Sequence, residues 1–418
     1  MSKKKKIMVL ADHPFTPSGV GTQTKYFCEA LLKTGRYQII CLGGAIKHPN
    51  YQPLKTEEWG EDWIIFPVDG YGNQDIVRSM IRGHKPDLLW FMTDPRFWGW
   101  LWSIDNEIRT HIPMVYHHVW DNKPAPHFNK KYYESNDFIV TISKVTDEIV
   151  NTVAPKVPSK YLPHAVNGKI FHKLPQKEIL EAKERNSVSK DKFWFFWNNR
   201  NARRKQSGTL IFWFKEFLDI VGHENAGLMM HTEPKDPNGQ DLTQIISHLE
   251  LDSGQVLLST QKMNPEDLNS LINMMDCTIN ISDAEGFGLA TLESLSTETP
   301  IIVNMTGGLQ EQVTDGKNWF GVGIEPASKA IIGSQEVPYI FEDRLSKQDF
   351  IDALLKIYNM TDKERAKLGK MGRKHVEKNY NFENFNEQWV KTIDEVIEEH
   401  GSWETRKNYK PYTFLEIK

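Results

Sequence analysis

The segment CTINISDAEGFGLATLESLSTETPIIVN, residues 277–304, holds a short apolar run, a loop with two glycines, a helical stretch and a second apolar run. Short β-rich runs bounded by turn residues read as strands. A helix between two strands implies a crossover, so the two runs lie parallel in one sheet. Glu285 stands directly before Gly286-Phe287-Gly288, and Glu293 follows eight residues later. On a single helix, eight steps of about 100° would leave the two carboxylates roughly 80° apart, so one helix does not explain the pair. The glycines place Glu285 in the loop and Glu293 about a turn inside the following helix. The backbone N–H groups of Phe287, Gly288 and Leu289 then lie at a helix start, without intrahelical partners, and suit a phosphate oxygen. Because like charges repel, the two carboxylates suit neutral donors, namely the hydroxyls of a sugar and a ribose.

The same rhythm extends in both directions. Residues 6–11, 37–43, 63–68, 87–92, 113–118 and 138–143 read as strands, with helical stretches at 20–34, 73–83, 97–110 and 144–152 among them. A Pro-containing passage at 154–175 interrupts the pattern, which restarts at 193–199, 226–232, 255–260, 277–282 and 300–305. This predicts two doubly wound parallel sheets, an α/β protein of two Rossmann-like domains facing each other across a cleft at the carboxyl ends of their strands. The expected division is an N-terminal domain of residues 1–175, a C-terminal domain of residues 176–381 and a tail of residues 401–418. After a polar insertion at 325–348 come helices at about 346–359, 362–378 and 382–400, the last of which can cross back to the first domain.

A chain of 418 residues is longer than one core usually supports, in keeping with two domains. Its 39% hydrophobic and 25% charged residues are ordinary for a soluble globular protein. The net charge of −4 lacks the global basic balance that an obligatory nucleic-acid partner would favour. Cys28, Cys41 and Cys277 have neither metal nor disulfide spacing, which fits a reducing cytoplasm. The start, MSKKKKIMVLA, is too short in apolar residues for a signal peptide, and no segment offers about eighteen consecutive apolar residues. Any membrane association is therefore expected to be peripheral.

Further motifs fall at predicted strand ends. NNRNARRKQSG places Arg200, Arg203, Arg204 and Lys205 before a helix starting near Ser207, a fork-and-point-charge set suited to a diphosphate. Gly307 and Gly308 of NMTGGLQEQ allow close approach of backbone to a ligand. In the first domain, Gly19 and Gly21 follow the first strand, but Thr24 replaces the third glycine of a dinucleotide fingerprint, which disfavours a NAD enzyme. His117 and His118 end a strand, and alternation sends one toward the cleft and the other to the sheet's flank. Four tryptophans, Trp90, Trp98, Trp100 and Trp102, are read as core, with a stacking platform for sugars or bases as the lesser alternative. No Asp-x-Asp pair or Walker loop occurs, so no metal site is expected.

EGFGLATLE, TGGLQE and NNRNARRK together resemble family four of the retaining glycosyltransferases, which have the GT-B fold; SGVG, DFIVTISKVTDEIV and YLPHAVNGKIF are weaker echoes. The resemblance covers most of the second domain. LSTETP and Asn167 depart from the usual family pattern. The resemblance implies transfer of a hexose, with retention, from a nucleoside-diphosphate sugar acting as co-substrate, without metal or other cofactor. It implies Glu285 on the hexose hydroxyls, Glu293 on the ribose, and Arg200 and Lys205 on the diphosphate. Amides around Gly286, Phe287, Gly288 and Leu289, and the turn from Gly19 to Gly21, would assist. His118, or failing that His117, would lie beside the transferred sugar, and Thr232, Lys262 and Met263 near the base. UDP-glucose and GDP-mannose are the donors considered. A saccharide or lipid-linked acceptor is expected, and glycosylation of a modified nucleic-acid base is not favoured. The alternatives are a nucleotide-sugar epimerase of the same architecture, which would act without an acceptor, and a binding protein without turnover.

Overall fold

The computed structural model describes residues 3–411. The chain forms two compact units: one holds the chain up to His164, Gly333–Pro338 and the chain from Glu383, and the other holds Ala165–Ile332 and Tyr339–Phe382. Residues 165–175, expected with the first domain, thus lie in the second unit, and 401–411 of the expected tail lie in the first; residues 412–418 fall outside the described residues. Among the described residues no helix is long and apolar enough to cross a membrane.

The first unit contains β1 (Lys5–Asp12), β2 (Tyr37–Gly44), β3 (Leu54–Lys55), β4 (Trp63–Pro67), β5 (Leu88–Met92), β6 (Met114–His118), β7 (Phe138–Thr141) and β8 (Ser159–Tyr161). They form one sheet in the order β3-β4-β2-β1-β5-β6-β7-β8, parallel except where β3 meets β4. Strands buried on both faces need apolar residues without alternation, and β1 and β5 supply such runs. Trp389, on the helix Phe382–His400, is wholly buried against Phe27 and Trp90, so this last long helix covers one face of the first unit's sheet. Trp90 and Trp98 are wholly buried and Trp102 nearly so, as core residues, while Trp100 is partly exposed.

The second unit contains β9 (Phe193–Asn198), β10 (Ala226–His231), β11 (Val256–Ser259), β12 (Cys277–Asn280), β13 (Ile301–Asn304) and β14 (Gly321–Ile324), all parallel, in the order β11-β10-β9-β12-β13-β14. Phe195, Trp197, Phe214 and Phe217 anchor its core beneath the helix Ser207–Val221. The strand order reverses between β9 and β12, and a crevice at such a switch point is where doubly wound sheets bind ligands.

Two features of this unit escape the hydrophobic pattern. β14 reads GVGI because a Cβ on Gly321 would lie 1.9 Å from the Ile301 carbonyl oxygen, so close pairing with β13 requires glycine there. The polar insertion is an antiparallel hairpin of β15 (Ser328–Ile332) and β16 (Ile340–Arg344), in register from Ser328 opposite Arg344 to Ile332 opposite Ile340.

Candidate functional site

The carboxyl ends of β9 and β12 carry the two strongest sequence motifs, and the sheet brings them side by side. After β9 the chain turns through Arg203–Lys205 into the helix Ser207–Val221, and Gln206 takes a left-handed conformation at the junction. After β12 it loops through Glu285 to Gly288, whose φ of 91° is left-handed, and enters the helix Leu289–Ser296. Lys205 Nζ donates to Glu285 Oε2 across these two loops, and Asn280 Nδ2 donates to the same oxygen at 3.3 Å. Glu285 Oε1 has no hydrogen-bond partner among the described residues. Burial pushes the Glu285 carboxyl up, but the charges of Lys205 and Arg204 and the two hydrogen bonds outweigh it and hold it below its ordinary value. The result is an ionised carboxylate that keeps a buried ammonium in place.

No side chain caps the start of the helix Leu289–Ser296. The loop that leads into it is pinned from behind. Gln312 Nε2 donates to the carbonyls of Phe287 at 2.6 Å and Gly288 at 3.1 Å, and the Gly308 N–H donates to the Glu285 carbonyl at 3.1 Å. A Cβ on Gly308 would lie 2.7 Å from Phe287 Cα and 2.8 Å from the Gly286 carbonyl oxygen. Backbone atoms on that side cannot rotate away, so Gly308→Ala is expected to cost about 1–3 kcal/mol of stability, measured by urea unfolding; a wild-type transition would show that the loop yields freely.

Glu293, one turn into the helix, is half-buried, and its carboxylate has no hydrogen-bond or ion-pair partner among the described residues. Burial raises it from an ordinary 4.5 to about 8. Arg200 is placed differently from Lys205. Its guanidinium is 64% exposed and forks onto Asp236, with Nε to Oδ2 at 2.6 Å and the second bond at 3.1 Å. That hydrogen bond first, and the Arg200 charge with it, hold Asp236 down at about 2. Thr232, just beyond β10, keeps its hydroxyl buried without a partner among the described residues, while beyond β11 Lys262 is exposed and Met263 partly so. The carboxyl ends of four parallel strands, β9, β10, β11 and β12, thus present the predicted residues on one side of the sheet.

In the first unit, Ser18 caps the helix Gly19–Leu32 by accepting from the Gly21 N–H at 3.0 Å, and itself donates to Asp12 at 2.6 Å. A Cβ on Gly21 would lie 2.3 Å from Thr16 Oγ1, which explains this glycine by local packing. The histidine expectation needs correction. Alternation sends the two rings to opposite faces, but helices cover both faces and neither ring reaches a surface. His117 packs against Trp90, Trp389 and His164, and His118 meets the Tyr133 hydroxyl at 2.7 Å. Burial lowers His118 to about 3, so it is a neutral core imidazole rather than a group open to a sugar.

Several partners were not legible as site residues. Asp236 and Asp283 lie in loops, Gln312 on the short helix Leu309–Val313, and Glu342 and Arg344 on the hairpin, and all act through other elements. Only the acidic character of TEPKDPNG, opposite a basic loop, carried a signal for one of them. Among the described residues no group of three or more His, Cys, Asp or Glu is placed to hold a metal ion.

The fold is the GT-B fold of the solved structures that it resembles, and residues 217–375 match the family described as glycosyl transferases group 1. The resemblance drawn from the motifs holds at that level. Sucrose-phosphate synthase from Thermosynechococcus elongatus superposes with a TM-score of 0.74 at 15% identity, over 95% of this chain and 100% of that one. Anabaena HepE in complex with UDP and glucose gives 0.68 at 14% identity, over 94% and 99%. In sequence, the alpha-galactosylglucosyldiacylglycerol synthase of Streptococcus pneumoniae is 21% identical over 260 residues, covering 57% of this chain. The match spans 64% of the length of that relative.

Proposed function

We propose that the protein transfers a hexose from a nucleoside-diphosphate sugar to an acceptor hydroxyl with retention at the anomeric carbon, without a metal or other cofactor. The observation that carries this reading is the Lys205–Glu285 pair at the switch point, beside an uncapped helix start and followed by a carboxylate, Glu293, that has no partner of its own. Lys205 and the amides at Gly288 and Leu289 meet the diphosphate, with Arg200 at its exposed side. Glu285 Oε1 accepts from a sugar hydroxyl, and Glu293 accepts from the ribose. Thr232, Lys262 and Met263 border the base.

As the bond from the anomeric carbon to the phosphate oxygen breaks, charge gathers on the leaving diphosphate. Lys205 and the fixed amides stabilise it more strongly than they stabilise the ground state. The acceptor oxygen bonds to the anomeric carbon on the same face, and its proton passes to the leaving phosphate. UDP-glucose is the first donor to test, because HepE is described with UDP and glucose. A lipid-linked acceptor is favoured over a free saccharide by the Streptococcus pneumoniae relative, whose name describes synthesis of a glycosyl diacylglycerol.

Thermal stability against UDP, GDP and ADP tests the donor site, since a ligand at a hundred times its Kd adds about 2.7 kcal/mol. One nucleotide is expected to stabilise the wild type and to act less on Glu293→Ala; no shift with any of them would remove the nucleotide-sugar reading. Product analysis with UDP-glucose, with and without a diacylglycerol glycolipid, then separates transfer from epimerisation and from binding alone.

Glu293 also predicts a pH dependence. Its folded value of about 8 lies above its ordinary 4.5, so between those values the folded state holds a proton that the unfolded state releases. Stability must therefore fall as pH rises from about 5 to 8. In Glu293→Gln this part of the slope is expected to vanish, leaving the variant more stable relative to wild type at pH 8 than at pH 5 in urea titrations. Equal slopes would place the Glu293 carboxyl in water.

A further inference from the structure

We propose that the hairpin β15–β16 is a brace that positions Lys205 against Glu285. This rests on the donor-site reading above for its consequence, but not for its geometry. One strand of the hairpin, β16, grips both loops that carry the pair. On the β9 side, Arg203, two residues before Lys205, forks onto Glu342, with bonds of 2.9 and 2.5 Å. On the β12 side, Asp283, two residues before Glu285, meets the Arg344 guanidinium at 3.1 Å, and its carbonyl accepts from the Asp343 N–H at 2.9 Å. Arg344 also reaches Glu342 at 2.5 Å, so the four side chains form a chain of alternating charge, Arg203–Glu342–Arg344–Asp283.

The two loops are also laced directly. Asp283 N–H donates to the Arg204 carbonyl at 2.8 Å, and Gln206 Nε2 donates to the Asp283 carboxylate at 2.5 Å. Asn304, at the end of β13, completes the lacing by donating to the carbonyls of both Ser282 and Asp343 at 2.9 Å. Residues on each side of Lys205, and the one that leads to Glu285, are therefore fixed by contacts that converge on β16. Glu342 and Asp283 are 2% and 3% exposed at their side chains, and such buried charges hold position only while all their partners remain. Glu342 and Arg344 touch neither Lys205 nor Glu285 in any of these bonds, so they are positioning residues.

Acetic anhydride labelling of the full-length protein, read by mass spectrometry, measures this directly. Lys205 is 9% exposed and paired, whereas Lys177, 88% exposed, serves as the internal reference. In Arg344→Ala and in the isosteric Glu342→Gln, Lys205 is expected to label at least about threefold faster relative to Lys177, and Arg344→Lys is expected to fall between them and wild type. In the same variants the Kd for UDP is expected to rise about tenfold. Should Arg344→Ala fail to fold, Glu342→Gln decides. Wild-type labelling of Lys205 in folded variants overturns the brace, and so, where the wild type binds UDP, does faster labelling with an unchanged UDP affinity. Faster labelling in a protein whose wild type binds no nucleoside diphosphate upholds the brace and overturns the donor-site reading, so the two fail separately.

Discussion

On the proposed transfer, Lys205→Ala is expected to reduce turnover with UDP-glucose about tenfold to a hundredfold, because it removes a charge-assisted bond of about 1.5–3 kcal/mol to the leaving diphosphate. Three observations favour this size. The ammonium is nearly buried, so its field is little screened. Its partner Glu285 is held below its ordinary value, with Lys205 among the causes, so the two groups are strongly coupled. Lys205 bridges the β9 and β12 loops at the switch point through Glu285, alongside Arg204, whose guanidinium donates to the Ala284 carbonyl at 2.8 Å. Arg200→Ala is expected to lose less, since its guanidinium is largely exposed and already forked onto Asp236. Initial rates of both variants at saturating donor, with melting temperatures measured alongside, decide the matter. Equal losses would return Arg200 to the centre of the site, and near-normal turnover in Lys205→Ala would remove the diphosphate assignment.

The largest effect on stability is expected in the first unit. Asp137 is buried and accepts from the Met114 N–H at 2.9 Å, from Arg109 Nε at 3.2 Å and from Arg406 at 2.7 Å. Arg406 is itself 5% exposed, so Asp137→Ala leaves a buried cation and a buried amide without their acceptor. A loss of about 3–5 kcal/mol follows from breaking such a set on one side. Urea unfolding of the full chain measures it, and a loss below about 1 kcal/mol would show that water enters and replaces the carboxylate. The same contact explains why residues 401–409 are more than a loose tail. Trp403 donates its amide to the His111 carbonyl and its indole to Pro86, while Ser402 reaches Asp87.

Much of the fold was legible because parallel strands are buried on both faces and therefore spell themselves as apolar runs. The runs at 37–43, 193–199 and 226–232 differ from the observed strands by one residue at one end. β8 and β14 were hidden for opposite reasons. The first is a half-buried edge strand of Ser-Lys-Tyr inside a Pro-containing passage, and the second is glycine-rich where backbones crowd. The hairpin was hidden because its exposed β15 alternates with no buried face at all. Glu285 and Lys205 stand out in the sequence because glycine and basic motifs mark strand ends, and the fold brings the two side chains together. The histidines misled because alternation fixes the face of a side chain and says nothing of what covers that face. Arg200 and Lys205 looked equivalent in sequence; tertiary partners 36 and 80 residues away made one an exposed clasp and the other a nearly buried charge.

The pairing of β9 with β12 has a consequence for how the protein comes into being. Eighty residues separate Lys205 from Glu285, and they include β10 and β11 with their helices. During synthesis the lysine leaves the ribosome well before its acid exists. It gains that partner only when β12 inserts beside β9, a distant closure of the kind that comes late and slowly. A nascent chain halted before residue 277 therefore holds a charged lysine with no Glu285 to meet it. The arrival of that one ion pair marks the moment when the two halves of the sheet are joined, with β13 and β14 still to be added.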